Sequence, residues 1–305
     1  MAFPTETVYG LGANALDESA VRKIFAVKGR PATNPLIVHV ANLEEAQKYA
    51  ARWPRAAQDL AERHWPGPLT LVVEKTPEIP GIVTAGGATV GLRVPAHPVA
   101  RELLRLAGVP VAAPSANRSE EVSPTTAQHV LESLGSFCDD LLILDGGPCA
   151  VGIESAVIDV TSDEPRVLRP GMLALEFPSP ASFLGTPSLA SPLRGGGGTS
   201  PLSPFSQQRS LGEGLREREN ADISRAPGQM LRHYAPRRGV QLVPAGSPCE
   251  LAIDCSPGVY AARLYAALRW LDDPATSGPI RVEEPPKSPE WAAIRDRLTR
   301  AAAKS

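Results

Sequence analysis

The segment that sets the architecture of this 305-residue chain is "KGRPATNPLIVHV", residues 28–40, where a helix end leads into a buried strand. The residues before it predict a helix over Asp17–Lys28, because Asp17 can cap it and Val21 and Ile24 recur at helical spacing. The apolar run Leu36–Val40 predicts a short strand. A helix followed closely by a buried strand is typical of an α/β protein.

Apolar runs and helical spacing continue along the chain. Further helices are predicted at Leu43–Ala51, Arg55–His64, Pro98–Leu106 and Thr126–Leu134, and further strands at Leu69–Glu74, Val90–Val94, Val109–Ala113, Leu141–Leu144, Ala156–Val160 and Arg166–Leu168. The helices and strands interleave without alternating one for one. They therefore predict an α/β fold with a twisted mixed sheet and helices packed against it.

Composition excludes several classes of protein. A net charge of -2 and a pI near 6.2 argue against extensive coating of nucleic acid, which needs a basic surface. No apolar run approaches the roughly 18 residues that a membrane helix needs, and no secretory signal is recognisable, so a cytoplasmic location is expected. The four cysteines lack zinc-like spacing, so we expect free thiols and no metal site.

The amino-acid composition of the sequence changes after Gly171. Residues 1–172 form the first predicted domain, and residues 173–225 are rich in proline, serine and glycine, as in linkers. Residues 226–305 begin with the compact motif "APGQMLRHYAP" (226–236) and continue with helical patterns at 259–273 and 291–303. This second part predicts a small α/β C-terminal domain.

Five groups of polar side chains fall at predicted strand ends or in adjoining loops: Thr5 and Thr7 with Gly10 and Gly12; Lys28, Arg30 and Asn34; His39; Arg93; and Ser115, Asn117 and Ser123. Each group alone has an ordinary structural explanation, such as a solvated charge pair, a core histidine or a polar turn. Together they supply cations and hydrogen-bond donors, and no nucleophile–base motif accompanies them. This set of side chains predicts binding of phosphates and a carboxylate, with catalysis by alignment.

Several segments, in order across residues 2–171, resemble the YrdC-like threonylcarbamoyl-AMP synthase family. They are "FPTETVYGLGANA", "KGRPATNPLIVHV", "GPLTLVV", "VGLRVPAHP", "PSANRS", "GIESAVIDV" and "VLRPG". The motif "RHYAP" (232–236) and the helical tail also resemble the two-domain form of the family. In that form a linker and a C-terminal domain follow the synthase domain.

The resemblance implies an enzyme that condenses L-threonine, bicarbonate and ATP, with Mg²⁺, into threonylcarbamoyl-AMP and pyrophosphate. A separate tRNA threonylcarbamoyl transferase would consume the product. Weak contact with tRNA, as double-stranded RNA, also belongs to this expectation. The family fold is a twisted α/β sheet around a positively charged groove, in agreement with the pattern above.

The resemblance also implies roles for individual residues. Lys28 and Arg30 would form the catalytic pair of cations. ATP would be contacted by Arg30, Asn34, Thr89, Ser115, Asn117, Ser123, Arg169 and Tyr234. Threonine would be held by Thr7, His39, Arg93, the backbone near Ala113, and Ser155. No protein ligand to a metal is implied, since Mg²⁺ would arrive with ATP.

The chain departs from the family pattern in three places. We expect the helix and most of the strand that precede "FPTETVYG" to be absent; Ser155-Ala156 replaces the usual Ser-Thr; and residues 243–258 shorten the C-terminal domain. Three alternative interpretations follow. They are a non-catalytic RNA- or nucleotide-binding protein, a carbamoyl-adenylate enzyme of the hydrogenase-maturation type, and an inactive truncated form. The second would need zinc-finger and acylphosphatase-like regions, which nothing in the sequence resembles.

Overall fold

A seven-stranded mixed sheet organises the computed structural model, which describes residues 1–173 and 233–303. The predicted linker from residue 174 onward, and residues 226–232 of the motif after it, lie outside the described residues. The strands are β1 (Ala2–Phe3), β2 (Gly10–Leu11), β3 (Ala13–Asn14), β4 (Ile37–His39), β5 (Leu69–Glu74), β6 (Thr89–Arg93), β7 (Val111–Ala112), β8 (Ala156–Asp159) and β9 (Arg166–Arg169).

The large sheet has the order β3-β7-β4-β6-β5-β8-β9. The pairs β4–β6 and β5–β8 are parallel, and the other neighbouring pairs are antiparallel. Strands β1 and β2 form a separate antiparallel pair. The predicted mixed α/β sheet is therefore confirmed.

Five helices belong to this part of the chain: α1 (Glu18–Lys28), α2 (Leu43–Lys48), α3 (Arg55–His64), α4 (Pro98–Ala107) and α5 (Ala127–Leu134). A short 3₁₀ turn follows α5 at Gly135–Phe137. The first helix begins where the sequence predicts, because the Asp17 side chain accepts hydrogen bonds from the Ser19 and Ala20 amides. Its apolar face, including Val21 and Ile24, is buried in the main core.

One predicted strand is wrong. Residues Leu141–Leu144 do not form a strand, although they lie beside β1. The Ala2 amide donates to the Leu142 carbonyl at 2.7 Å, and the Leu144 amide donates to the Ala2 carbonyl at 2.9 Å. Because this segment pairs with a single residue, it forms a bridge rather than a ladder.

The smaller C-terminal unit contains β10 (Val240–Val243), α6 (Pro257–Leu271), β11 (Ile280–Glu283) and α7 (Ala292–Ala302), with a 3₁₀ turn at Pro289–Trp291. Strands β10 and β11 pair in parallel. The core of this unit also includes Val8, Val122 and Ile153 from the first part of the chain. The two parts therefore share one apolar cluster.

Within residues 1–173 and 233–303, the longest helices are too short or too polar to cross a bilayer.

Candidate functional site

A cavity lies at the end of β4 and β6, where the parallel register places His39 beside Arg93. Its empty volume, including the open mouth, is about 540 Å³. The lining combines three arginines with hydroxyl, imidazole and backbone groups: Thr5, Thr7, Val8, Gly10, Arg30, Ile37, His39, Arg93, Ala113, Pro114, Ser115, Glu154, Ser155, Arg169, His233 and Tyr234. Residues far apart in sequence thus converge on one polar cavity.

Arg93 ends β6 and is buried against an acidic partner. Its Nη2 donates to Glu6 Oε1 at 2.6 Å and to Thr7 Oγ1 at 3.0 Å, and its Nε donates to the Gly67 carbonyl at 3.3 Å. Burial alone would raise the pKa of the Glu6 carboxyl, but the Arg93 charge and hydrogen bond hold it below its ordinary value. Arg93 therefore already has a carboxylate partner, while Nη1 makes no hydrogen bond among the described residues.

His39 is a neutral imidazole in this cavity. Burial, together with the nearby Arg93 charge, lowers the pKa of His39 to about 3. Its Nδ1 is buried without a hydrogen-bond partner in the described chain, and its ring packs edge-on against Phe3 with centroids 6.2 Å apart. A neutral ring with a free nitrogen can exchange a hydrogen bond with a polar ligand.

The neighbouring strands β8 and β9 bring Ser155 and Arg169 to the same cavity. Arg169 donates from Nε to the Ser155 carbonyl at 3.1 Å and from Nη2 to Ser155 Oγ at 3.2 Å. The Ser155 hydroxyl also lies 2.8 Å from Thr70 Oγ1 of β5. Thr70 thus places a second hydroxyl next to that of Ser155.

Arg30 faces the cavity from the loop after α1. Its Nε donates to the Asn34 carbonyl at 3.2 Å and its Nη2 donates to the Pro35 carbonyl at 2.8 Å. Burial lowers the pKa of Arg30 to about 10, and the neighbouring Arg169 charge acts in the same direction. Among the described residues, Arg30 forms no salt bridge, so its charge is available to an anionic ligand.

Lys28, which the resemblance pairs with Arg30, is buried beside the cavity, and its catalytic role stays a prediction. Its side chain is 1% exposed and does not line the cavity. Its Nζ donates to the Ser115 carbonyl at 2.6 Å and to the Asn117 carbonyl. Burial and the Arg30 charge lower the pKa of Lys28 well below its ordinary value. Lys28 therefore holds the loop that carries Ser115.

Four other residues expected at the nucleotide also lie outside the cavity lining: Asn34, Thr89, Asn117 and Ser123. Asn117 donates from Nδ2 to the Arg118 and Glu121 carbonyls, and Thr89 begins β6 opposite Glu74. Asn34 lies buried beneath Arg30, whose Nε binds its carbonyl. These residues shape the loops around the cavity, and direct contact with a nucleotide stays a prediction for them.

The remaining wall comes from His233 and Tyr234. Tyr234 has a left-handed backbone with φ of 61°, and the His233 ring stacks on it with centroids 4.0 Å apart. Burial lowers the pKa of His233 to about 3, so this imidazole is also neutral. Tyr234 therefore borders the cavity with His233 beside it, and its contact with a nucleotide stays a prediction.

Sequence reasoning missed several residues of this cavity. The sequence analysis does not single out Glu6, the partner of Arg93, or the cavity residues Glu154 and His233. All of them lie inside motifs that carried the family resemblance, so the signal was their position beside Thr7, Ser155 and Tyr234. For a distant contact such as Arg297 with Glu154, the sequence contains no signal.

The donor set does not suit a metal held by the protein. Across the described ranges, no group of three histidine, cysteine or acidic side chains comes together. Glu154, the one carboxylate in the cavity lining, already accepts from Ser123, Tyr265 and Arg297. Mg²⁺ prefers several oxygen ligands and phosphate oxygens. These residues are therefore arranged for an anion rather than for a bare divalent cation.

Comparison with protein families identifies two regions of the chain. A family model for Sua5, YciO and YrdC proteins, described as "Telomere recombination", matches residues 1–171. A second model, described as "Threonylcarbamoyl-AMP synthase, C-terminal domain", matches residues 248–303. The two matches fall on the sheet domain and on the smaller unit, respectively.

Curated relatives carry a common name. The chain is 44% identical over 243 residues to threonylcarbamoyl-AMP synthase of Pyrococcus abyssi, covering 80% of this chain and 64% of the relative. It is 40% identical over 249 residues to the Bacillus subtilis protein of that name, covering 81% and 64%. For the Schizosaccharomyces pombe protein the identity is 38%, covering 79% and 60%. The chain thus spans 60–64% of the length of these relatives.

The fold also matches solved structures. The crystal structure of P. abyssi Sua5 complexed with L-threonine superposes with a TM-score of 0.78 at 36% identity, covering 99% of this chain and 89% of that one. A variant of the same protein, with an adjacent His–Tyr pair changed to alanines, also superposes with a TM-score of 0.78, at 34% identity, covering 99% and 88%.

Proposed function

This chain belongs to the YrdC-like threonylcarbamoyl-AMP synthase family, and from that premise we propose that it condenses L-threonine, bicarbonate and ATP into threonylcarbamoyl-AMP and pyrophosphate. ATP, L-threonine and bicarbonate are its proposed substrates. The product would pass to a separate tRNA threonylcarbamoyl transferase. The cytoplasmic location and the weak tRNA contact stay predictions from the sequence.

The observation that carries the proposal is the guanidinium of Arg30, which lines the cavity and is buried. Arg30 binds only carbonyl oxygens in the described chain. A buried guanidinium without an acidic partner favours an anionic ligand, and its planar donors match phosphate geometry. We assign this side of the cavity to the triphosphate of ATP.

The other side of the cavity suits an amino acid. Thr7, His39 and Arg93 lie together there, and the related P. abyssi protein was solved with L-threonine. The Nη1 group of Arg93 would bind the carboxylate of threonine, while the neutral His39 would pair with its hydroxyl. Because His39 is uncharged, it would not compete with Arg93 for the carboxylate.

The reaction would then depend on alignment rather than on a covalent enzyme intermediate. The amine of threonine attacks bicarbonate, which loses water and leaves a carbamate. A carbamate oxygen attacks the α-phosphorus of ATP, and the bond to pyrophosphate breaks. Arg30 and Arg169 would stabilise the charge that develops on the phosphates. Lys28 would act one step removed, by holding the carbonyls of the Ser115 loop in place.

Mg²⁺ is proposed to enter as part of the MgATP substrate. When bound it supplies charge neutralisation on the phosphate oxygens. The cavity's own arginines would contact the remaining oxygens, and Tyr234 with His233 would cover the nucleotide side.

The test is release of pyrophosphate from ATP by the purified chain, with L-threonine and bicarbonate omitted in turn. The proposal expects release only when both are present. Its failure would be a well-folded protein that releases no pyrophosphate with the full set of substrates. Salt-dependent binding of tRNA without ATP turnover would then support the alternative of a non-catalytic RNA-binding protein.

A further inference from the structure

Two threonine hydroxyls and one arginine form a continuous series of hydrogen bonds along a wall of the cavity. Thr5 and Thr7 both line the cavity and are buried, and their Oγ1 atoms lie 2.8 Å apart. Arg93 donates from Nη2 to Thr7 Oγ1 at 3.0 Å. At the other end, Thr5 Oγ1 donates to the Val8 carbonyl at 2.7 Å. The series therefore runs from a guanidinium, which can only donate, to a carbonyl, which can only accept.

These two ends fix the direction of the hydrogen bond between the threonines. A hydroxyl has one proton to donate and two lone pairs with which to accept. The Thr5 proton is used at the Val8 carbonyl, so the proton between the two hydroxyl oxygens belongs to Thr7. Thr5 Oγ1 is also occupied as an acceptor, since the Thr7 and Val8 amides donate to it at 3.2 Å. Thr7 therefore donates to Thr5 and keeps no proton for a ligand.

Thr7 retains one way to bind a ligand. One lone pair of its hydroxyl oxygen accepts from Arg93, and the second lone pair is the remaining hydrogen-bonding position. A carboxylate offers acceptors only and cannot use this position, whereas an amine or ammonium group can donate to it. The neighbouring Arg93 suits the carboxylate, because a guanidinium only donates. Thr7 and Arg93 thus match the adjacent α-amine and α-carboxylate of one amino acid.

We propose that Thr5 is a positioning residue: by accepting the Thr7 proton, it makes Thr7 an acceptor only, which selects the α-amine of the bound amino acid. Thr7 holds the amine through one N–H bond and leaves the nitrogen lone pair, which the reaction with bicarbonate needs, without a partner on Thr7. This inference rests on the proposed function only for the class of ligand, an α-amino acid. The direction of the hydrogen bonds follows from the described contacts alone.

The experiment compares two ligands that differ only at the α-position, L-2-aminobutanoate and 2-oxobutanoate. The first offers Thr7 a donor, and the second offers it only a carbonyl oxygen. Their Kd values are measured by calorimetric displacement of L-threonine from the full chain. Wild type should bind the amino acid more tightly than the keto acid, and equal binding would contradict the inference. The ratio of the two Kd values reports the polarity of Thr7, because the ligands share their carbon skeleton and carboxylate.

Thr5→Val removes the oxygen that accepts the Thr7 proton but keeps the shape of the side chain. The freed Thr7 hydroxyl can then turn and donate. The Kd for L-2-aminobutanoate should rise about fivefold and the Kd for 2-oxobutanoate should fall about threefold, changes of the size expected for one hydrogen bond. Thr5→Ser keeps the hydroxyl and should retain the wild-type ratio. A side chain that only stabilised the turn would weaken both ligands alike, so parallel changes would overturn the inference.

Thr84→Val is the matched control. Thr84 is also a buried threonine, and its hydroxyl donates to the Gly81 and Gly87 carbonyls of its own loop, outside the cavity lining. The Kd values of this variant for both ligands should stay within about twofold of wild type, because side chains that share no partner do not couple. A loss of amino-acid binding as large as that of Thr5→Val would overturn the inference.

A second variant covers the case in which Thr5→Val does not fold. Thr7→Val removes the acceptor itself, so the Kd for L-2-aminobutanoate should rise about fivefold relative to that for 2-oxobutanoate. An unchanged ratio would contradict the inference. Failure of the synthase proposal is distinguishable, because it would appear as the expected pattern of Kd values without pyrophosphate release from ATP. Pyrophosphate release together with parallel changes in Kd would contradict the role of Thr5 alone.

Discussion

Lys28 and Arg30 are two residues apart but act on different parts of the molecule. Both are cations at the end of α1, and the sequence alone suggests one shared task. The structure buries the Lys28 ammonium on two carbonyls and directs the Arg30 guanidinium to the cavity. An ammonium group that donates to carbonyl oxygens makes a structural contact. A guanidinium group that lies near a second guanidinium group favours a phosphate ligand.

Replacing Arg30 should therefore affect turnover more than folding. Arg30→Ala should abolish threonine-dependent pyrophosphate release, a loss on the order of 100-fold or more, since a charge-assisted contact to phosphate disappears. Thermal unfolding should shift little, because the bonds lost are to loop carbonyls. Arg22→Ala, at an exposed pair with Glu18, is the control and should keep full activity. Retained activity in Arg30→Ala would refute the phosphate assignment.

His39 makes stability depend on pH in a defined window. Its pKa is about 3 when folded, against an ordinary value of 6.5, so the unfolded chain binds the proton first. Stability from neutral His39 is complete above pH 6.5 and is lost as pH falls toward 3. By pH 5 the loss amounts to about 2 kcal/mol.

The measurement for His39 is chemical denaturation from pH 7.5 to 5, comparing wild type with His39→Asn. The free energy of unfolding of wild type should fall more steeply, since the variant has no imidazole to protonate at this position. The contribution of His233 is common to both proteins and cancels in the difference. Parallel curves would show that folding does not lower the pKa of His39.

Among the secondary-structure elements, helix α1 determines the directions in which the Lys28 and Arg30 side chains point. Asp17 caps its start, and Gly29 ends it with a left-handed φ of 59°. The Gly29 amide donates to the Ala26 carbonyl at 3.2 Å and the Arg30 amide to the Phe25 carbonyl at 3.0 Å, the pattern of a Schellman cap. This cap turns the chain between Lys28 and Arg30 and so sends their side chains to different places.

Gly29→Ala should disturb this element in two ways. The left-handed backbone costs about 1 kcal/mol for a residue with a Cβ atom. That Cβ would also lie 2.9 Å from Nη2 of Arg118, a side chain that binds the Val27 carbonyl. We expect lower thermal stability and about fivefold lower kcat/KM for ATP, since Arg30 would shift with the cap.

Gly108→Ala provides the matched comparison. Gly108 ends α4 with a φ of 62°, and a Cβ there would meet no atom within 4 Å. The variant Gly108→Ala should lose the same backbone contribution to the free energy of unfolding as Gly29→Ala, yet keep its kcat/KM for ATP. Equal loss of activity in Gly29→Ala and Gly108→Ala would mean that lower stability, and not a displaced Arg30 side chain, reduces turnover.

The elements were the most predictable level of the fold. Helix α3 and strand β5 have the predicted bounds, because periodic apolar residues and clear breakers define them. The segment 141–144 failed, since an apolar run reveals burial but not the partner strand that a ladder needs. The partner of Arg93 was also missed: a buried arginine predicts an anion, but only the fold shows that Glu6 provides it.

For the molecule as a whole, the decisive feature is the contact between the two units. Gly152 has a φ of 79°, and a Cβ there would lie 2.5 Å from the Ala261 carbonyl oxygen of α6. The backbone of one unit therefore touches a helix of the other directly. No periodicity or motif in the sequence relates residues 143 positions apart, such as Glu154 and Arg297, so this docking could not be predicted.

Gly152→Ala should separate the two units. The added methyl group would force α6 away and expose the shared apolar cluster, so we expect faster hydrogen exchange in α6 and α7 and weaker nucleotide binding. Gly147→Ala shares the left-handed backbone, with φ of 78°, but has no atom within 4 Å of a Cβ. The difference between the two variants in exchange rate isolates the effect of docking. Equal exchange rates would show that the contact is not needed to hold the units together.

The shared apolar cluster has a consequence for how the protein is made. Val8, Val122 and Ile153 stay without their full covering until α6 and α7 have been synthesised. At about 5–20 residues per second, the ribosome takes on the order of 10 s to pass from the end of the sheet domain to Arg297. During that interval the apolar side chains of Val8, Val122 and Ile153 stay exposed on the nascent chain. Chaperones that bind apolar surface would therefore have a binding site there until α6 and α7 cover the cluster.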